Sequence, residues 1–253
     1  MNIKYWLNSE RVVAGMTFAD DTAPERNNMA LHVCREESDV RENRTKLSEQ
    51  LGCNLMDFVC TNQTHGTNIH HVVAADRGRG AATADTAIPE TDALYTYEPG
   101  LLLCCFTADC VPVILYHETS GFAGTIHSGW QGTVKEITPK FLNRIQTREK
   151  LLPEELTVFL GAALGAARFE VDEDVSRQYS RLGYLDDLIT YRSESGKYHI
   201  DNQMAVRRQC ELAGIRPDRI FMDRTCTYDG EDCFSYRRNK ECGRHMSFIM
   251  RRA

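Results

Sequence analysis

Hydrophobic and polar positions change their period several times along the chain, and each change marks an expected element. Residues 39–51 put Val40, Leu47 and Leu51 on one side of a helix, with Asp39 placed to cap its start and Gly52 its end. The runs 55–60 and 69–74 read as strands, with Gln63-Thr64-His65-Gly66 between them. Residues 101–106 are apolar throughout, which predicts a strand buried on both faces. Residues 111–116 and 122–127, joined by the turn 117–121, predict an antiparallel hairpin. After Gly132, Val134, Ile137, Phe141 and Ile145 recur at helical spacing. Pro139 interrupts them and predicts a kink or two short pieces. Helices are also expected near 172–182 and 201–213, the second capped by Asp201 and stopped by Gly214. Short strands are expected at 156–160, 220–223 and 247–250. Central strands with flanking helices predict an α/β or α+β sandwich. The stretch 76–89, DRGRGAATADTAIP, reads as a surface loop rather than a linker, so 1–253 is expected to form one domain.

Composition narrows the class. Of 253 residues, 42% are hydrophobic, enough for a substantial core, and the formal net charge of -6 leaves no basic footprint for nucleic acid. No run reaches the 18 or so apolar residues of a membrane span, and the first residues lack the apolar core of a signal peptide. A soluble, cytoplasmic protein is the expectation, with the oligomeric state left open. Ten cysteines in a chain of this length, with no C-x-x-C pair, point away from a disulfide scaffold, a zinc ribbon and a thioredoxin-type site. Cys104 and Cys105 are neighbours on a strand, so they face opposite ways and read as small buried hydrophobes.

Three residues then carry the chemistry. His65, Cys110 and His127 each lie where a strand-like run meets a small-residue turn, in QTHG, TADC and HSGW. Two imidazoles and a thiolate suit zinc and leave a fourth position for water or substrate. Cys110 precedes the first hairpin strand and His127 ends the second, so the hairpin itself brings them together. The same atoms fit a metal-free thiol hydrolase, with Cys110 as nucleophile and His127 as its base. The second imidazole tilts the choice toward metal. Asp109 is a candidate acid/base group, a partner that orients a ligand imidazole, or a turn cap. In the polar run 226–245, Arg237, Arg238 and Arg244 either fork onto a phosphate or lie in a solvated loop. Phe234 and Tyr236 either stack on a flat base or belong to the core. Among the remaining histidines, His245 is a candidate substrate contact.

The segments TNQTHGTNIHHV, TDALYT, PGLLLCCFTADCVPVILY, AGTIHSGWQGT, CTYDGEDCFSYRR and GRHMSFI, in this order from about residue 43 onward, resemble the YfiH-like, or laccase-domain, family. The resemblance implies a layered α/β/β/α domain. It also implies purine nucleoside phosphorylase activity on adenosine, inosine and methylthioadenosine, with adenosine deaminase activity beside it. Zinc would be held by His65, Cys110 and His127; copper is the alternative, from the family's first description as polyphenol oxidases. A multicopper oxidase needs paired H-x-H motifs, and this chain has none. Phosphate would be held by arginines such as Arg44, Arg237 or Arg244. Two departures stand out: Gln131 replaces an arginine common in the family, and residues 165–169 lack its Pro-Cys-Cys cluster, with Arg168 the nearby charge.

Overall fold

The computed structural model describes residues 1–252. In chain order it forms β1 (Ile3–Asn8), β2 (Val12–Thr17), α1 (Glu37–Leu51), β3 (Phe58–Val59), β4 (Ile69–His71), β5 (Ala93–Thr96) and β6 (Leu102–Thr107). The hairpin strands β7 (Val111–Tyr116) and β8 (Ala123–Ser128) follow, then α2 (Trp130–Val134), α3 (Ile137–Arg144), β9 (Thr157–Leu160), β10 (Glu170–Val171) and α4 (Glu173–Ser180). The chain ends with β11 (Ile189–Arg192), β12 (Lys197–Ile200), α5 (Asn202–Leu212), β13 (Ile220–Met222) and β14 (His245–Arg251).

Two sheets make the body. One has the order β1-β2-β14-β6-β3, the other β13-β9-β7-β8-β5-β4. The alternation of side chains along each strand sets the layers. Leu101, Leu103 and Ile249 of the first sheet meet Leu94, Ile114 and Phe159 of the second in a shared core. Leu102, Cys104 and Phe106 turn the other way, onto Leu47 and Leu51 of α1. Val113 and Leu115 turn outward from the second sheet onto Phe141 of α3 and Val206 of α5. The result is helix, sheet, sheet, helix, the α/β/β/α sandwich expected. Cys104 and Cys105 face opposite ways as neighbours on β6, and both are buried. A smaller sheet, β10-β12-β11, packs with α4 around its own apolar cluster.

Several elements differ in detail from the sequence expectation. Asp39 does not cap α1; it lies in the first turn, where a carboxylate suits the helix dipole, while Gly52 closes the helix at φ +72° as expected. The break after α2 falls at Glu136, which adopts φ +60°, not at Pro139. Pro139 lies in the first turn of α3, where its nitrogen would lack an intrahelical acceptor anyway. Asp201 caps α5 by accepting from Met204 N at 2.9 Å. The loop 76–89 is less superficial than expected, since Asp76, Ala81 and Ile88 are buried.

Candidate metal and substrate site

The β7–β8 hairpin pairs Val111 with Ser128 and Pro112 with His127, so Cys110 and His127 meet at one end of it, as the spacing predicts. His65 arrives from the turn after β3. That turn is anchored by Gln63, whose side-chain amide imitates a strand: Nε2 donates to Phe106 O and Oε1 accepts from Phe106 N, both at 2.8 Å. His65 itself takes φ +58°, a left-handed conformation that costs a side-chain-bearing residue about 1–2 kcal/mol.

The three candidate ligands converge. One donor atom from each of His65, Cys110 and His127 lies within 4.8 Å of the others, and Cys110 Sγ is 3.7 Å from His65 Nε2. Nitrogen and sulfur bound tetrahedrally to zinc stand about 3.5 Å apart, so small shifts close the set. Gly129 explains the room around them. A Cβ there would lie 2.8 Å from both Cys110 Sγ and His65 Cδ2. His127 Nδ1 is 2.8 Å from Asp92 Oδ1, and the Asp92 side chain is fully buried. The donor chemistry and the spacing of these atoms therefore fit a metal ion held by His65, Cys110 and His127.

Electrostatics prepare the donors. Burial pushes the Cys110 thiol up, but the charge of His127 and hydrogen bonds with both imidazoles outweigh it and hold the thiol at about 6. Burial pushes His127 down, but Cys110 and Asp92 outweigh it and hold the imidazole at about 9. The metal-free site is thus a thiolate–imidazolium pair. Burial raises Asp92, yet the His127 hydrogen bond and charge and the backbone N–H groups of Gly66 and Thr64 bring it below the usual carboxylate range.

The trio opens into a cleft of about 710 Å³ whose wall includes Asp109, Trp130, Phe169, Asn202, Tyr236, Arg237 and Arg244. Asp109 does not orient a ligand imidazole. Its carboxylate accepts from Thr227 Oγ1 and Arg237 N, both at 2.6 Å, and so ties the C-terminal loop to the site. Arg237 lies over Phe169 and Arg244 over Tyr236. Arg44 is elsewhere. Its guanidinium is buried and donates to the carbonyls of Met29, Gly80 and Ala81 at 2.7–2.9 Å, so it has no free face for phosphate. His245 is also not a cleft residue: it is wholly buried between Thr17 O and Phe234 N, and burial first of all pushes it down to about 4. Phe234 is core, while Tyr236 is half exposed on the cleft wall. Arg238 spends its guanidinium on carbonyls of its own loop. Neither Gln131 nor Arg168 lines the cleft; Arg168 pairs with Asp229 at 2.7 Å.

Sequence reasoning missed Asp92 and many residues of the cleft wall, among them Trp130, Phe169, Asp172, Asp174 and Asn202. Asp92 lay inside the TDALYT segment, where a carboxylate ahead of a strand looks like any turn residue.

This architecture is shared with known proteins. A family model described as multi-copper polyphenol oxidoreductase laccase matches residues 18–252. The chain is 37% identical over 228 residues to purine nucleoside phosphorylase YlmD of Geobacillus stearothermophilus, covering 89% of this chain and 83% of that one. It is 28% identical to adenosine deaminase RL5 of an unknown prokaryotic organism, covering 74% of this chain and 72% of that one. The crystal structure of the hypothetical protein YfiH of Bacillus licheniformis superimposes with a TM-score of 0.90 at 31% identity, covering 97% of this chain and 98% of that one. The chain belongs to this laccase-like YfiH family.

Proposed function

We propose that the protein is a zinc-dependent purine nucleoside phosphorylase, acting on adenosine, inosine and methylthioadenosine, with adenosine deaminase activity in the same cleft. The observation that carries this reading is the convergence of His65, Cys110 and His127 at the floor of a cleft that also presents aromatic faces and two arginines. The names of the relatives point the same way, most to phosphorylases and one to a deaminase.

In phosphorolysis a phosphate oxygen bonds to the anomeric carbon of the ribose as the glycosidic C–N bond breaks. The purine leaves with the bond's electron pair and takes up a proton. Bound zinc supplies a Lewis-acid charge to a substrate oxygen or to water. The chain's own residues do the rest. Arg237 and Arg244 line the cleft wall. Arg237 lends Nη1 to the carbonyls of Arg168 and Glu170, Arg244 lends Nη1 to those of Cys242 and Gly243, and their remaining N–H groups would hold phosphate. Tyr236, Phe169 and Trp130 offer flat faces to a purine. Asp109 keeps lone pairs beyond its two hydrogen bonds and is the acid/base candidate nearest Cys110 in sequence.

One observation favours a second reading. The thiolate–imidazolium pair of Cys110 and His127 is also an activated nucleophile whose base has already taken its proton. Copper chemistry of the laccase type has less support. It needs further clustered imidazoles, and among the described residues only one such group of donors occurs. The test is product analysis. Inosine should yield hypoxanthine and ribose 1-phosphate only when phosphate is present. Ribose appearing without phosphate would identify a hydrolase and reject the proposal.

A further inference from the structure

We infer that Asp92 is a positioning residue that sets both imidazole ligands at once, in a way that only a carboxylate can. The inference rests on reading His65, Cys110 and His127 as one metal site. The Asp92 side chain is fully buried, and among the described residues no lysine or arginine pairs with it. A carboxylate so deep must be hydrogen-bonded on all sides. All of its donors come from the two segments that carry the histidines. Oδ1 takes His127 Nδ1 at 2.8 Å and His65 N at 3.0 Å. Oδ2 takes Gly66 N at 2.8 Å, Thr64 N at 3.2 Å and Thr64 Oγ1 at 3.4 Å. The Asp92 carbonyl completes the link by accepting from His127 N at 2.8 Å.

Each arm has a distinct effect. Accepting from His127 Nδ1 fixes the tautomer, so that Nε2 keeps its lone pair for the metal. Three successive N–H groups of residues 64–66 wrap the other oxygen and Oδ1, an anion nest that holds His65 in its left-handed backbone conformation. The strain at His65 is therefore offset by the same carboxylate that orients His127.

Asparagine has the same shape but only one accepting atom. If its oxygen faces residues 64–66, its NH₂ faces His127 Nδ1. The imidazole proton must then move to Nε2, where it blocks the metal. If its oxygen faces His127, its NH₂ meets the N–H groups of Thr64 and Gly66, and the His65 turn loses its anchor. Either way one imidazole is lost as a ligand.

The experiment is a cobalt(II) titration of the metal-free full-length protein and of Asp92→Asn, followed by visible absorption, with circular dichroism to confirm folding. The expected result is a folded variant that binds cobalt about 10–100-fold more weakly, with altered d–d bands. Affinity within about twofold of wild type with superimposable bands would overturn the inference while leaving the metal site intact. No uptake by the wild type would instead reject the metal site itself, and the inference with it. If Asp92→Asn does not fold, the zinc-loaded wild type decides by ¹⁵N NMR and hydrogen exchange. Zinc on His127 Nε2, a protonated Nδ1 and protected amides at His65 and Gly66 support the inference. Zinc on Nδ1, or freely exchanging amides there, overturns it.

Discussion

Cys110 Sγ stands 3.7 Å from His65 Nε2, although 45 positions separate the two residues in the chain. The hairpin delivers Cys110 and the Gln63-anchored turn delivers His65. Replacing Cys110 by Ala removes the soft donor and leaves two imidazoles. Zinc affinity, measured by competition with a chromogenic chelator, should fall by well over the tenfold that loss of an outer partner costs. Far-UV circular dichroism should not change.

Gly129 leaves space rather than adopting an unusual conformation, since its φ is -67°. A methyl group there would press on Cys110 Sγ and His65 Cδ2 at 2.8 Å. Gly129→Ala should lower the melting midpoint by the equivalent of about 1–3 kcal/mol, as overpacking does. It should also weaken zinc binding, which isothermal titration calorimetry would detect.

Proton release on metal binding gives a pH signature. Without metal, Cys110 loses its proton near 6 and His127 keeps its own until about 9. Between those values the pair holds one proton, on His127. Metal must expel it, so lower pH opposes binding. Apparent zinc affinity should rise about tenfold per unit from about pH 7 to 9 through His127 and level off above 9. Calorimetry in buffers of different ionisation enthalpy measures the released proton.

The arginines separate by burial. Arg237 is exposed on the cleft wall and its two bonds, to the carbonyls of Arg168 and Glu170, are solvent-accessible. Arg237→Ala should therefore raise the KM for phosphate by about 10–100-fold, the worth of a hydrogen bond to a charged group, with only a small drop in melting. Arg44→Ala should do the reverse. It leaves three buried carbonyls without a donor and removes the cation lying 5.1 Å from the Phe106 ring centroid, so melting should drop steeply. Steady-state kinetics and thermal melts of both variants check the contrast.

Arg44 also shows what the sequence pattern held and what it hid. It lies four residues after Val40 and three before Leu47, on the inward face of α1. Periodicity alone placed it against the core; treating its charge as a sign of ligand binding overrode that signal. The hairpin, and with it the meeting of Cys110 and His127, was legible because local pairing brings the two ends together. Asp92 was not, because it acts on residues 26 to 35 positions away and no local pattern marks such a contact. β1 and β2 carry no clean alternation: β2 is buried at every position, and its pairing with β14 from the far end of the chain defines it. The β10-β12-β11 sheet is largely exposed and polar, so it lacks the apolar runs that announce a strand.

The most direct test is zinc dependence of phosphorolysis. The protein is stripped with a chelator, then titrated with zinc while hypoxanthine release from inosine and phosphate is followed. Activity should vanish on stripping and return to a plateau at one zinc per chain. Full turnover by a stripped protein in which no metal is detected would contradict the account.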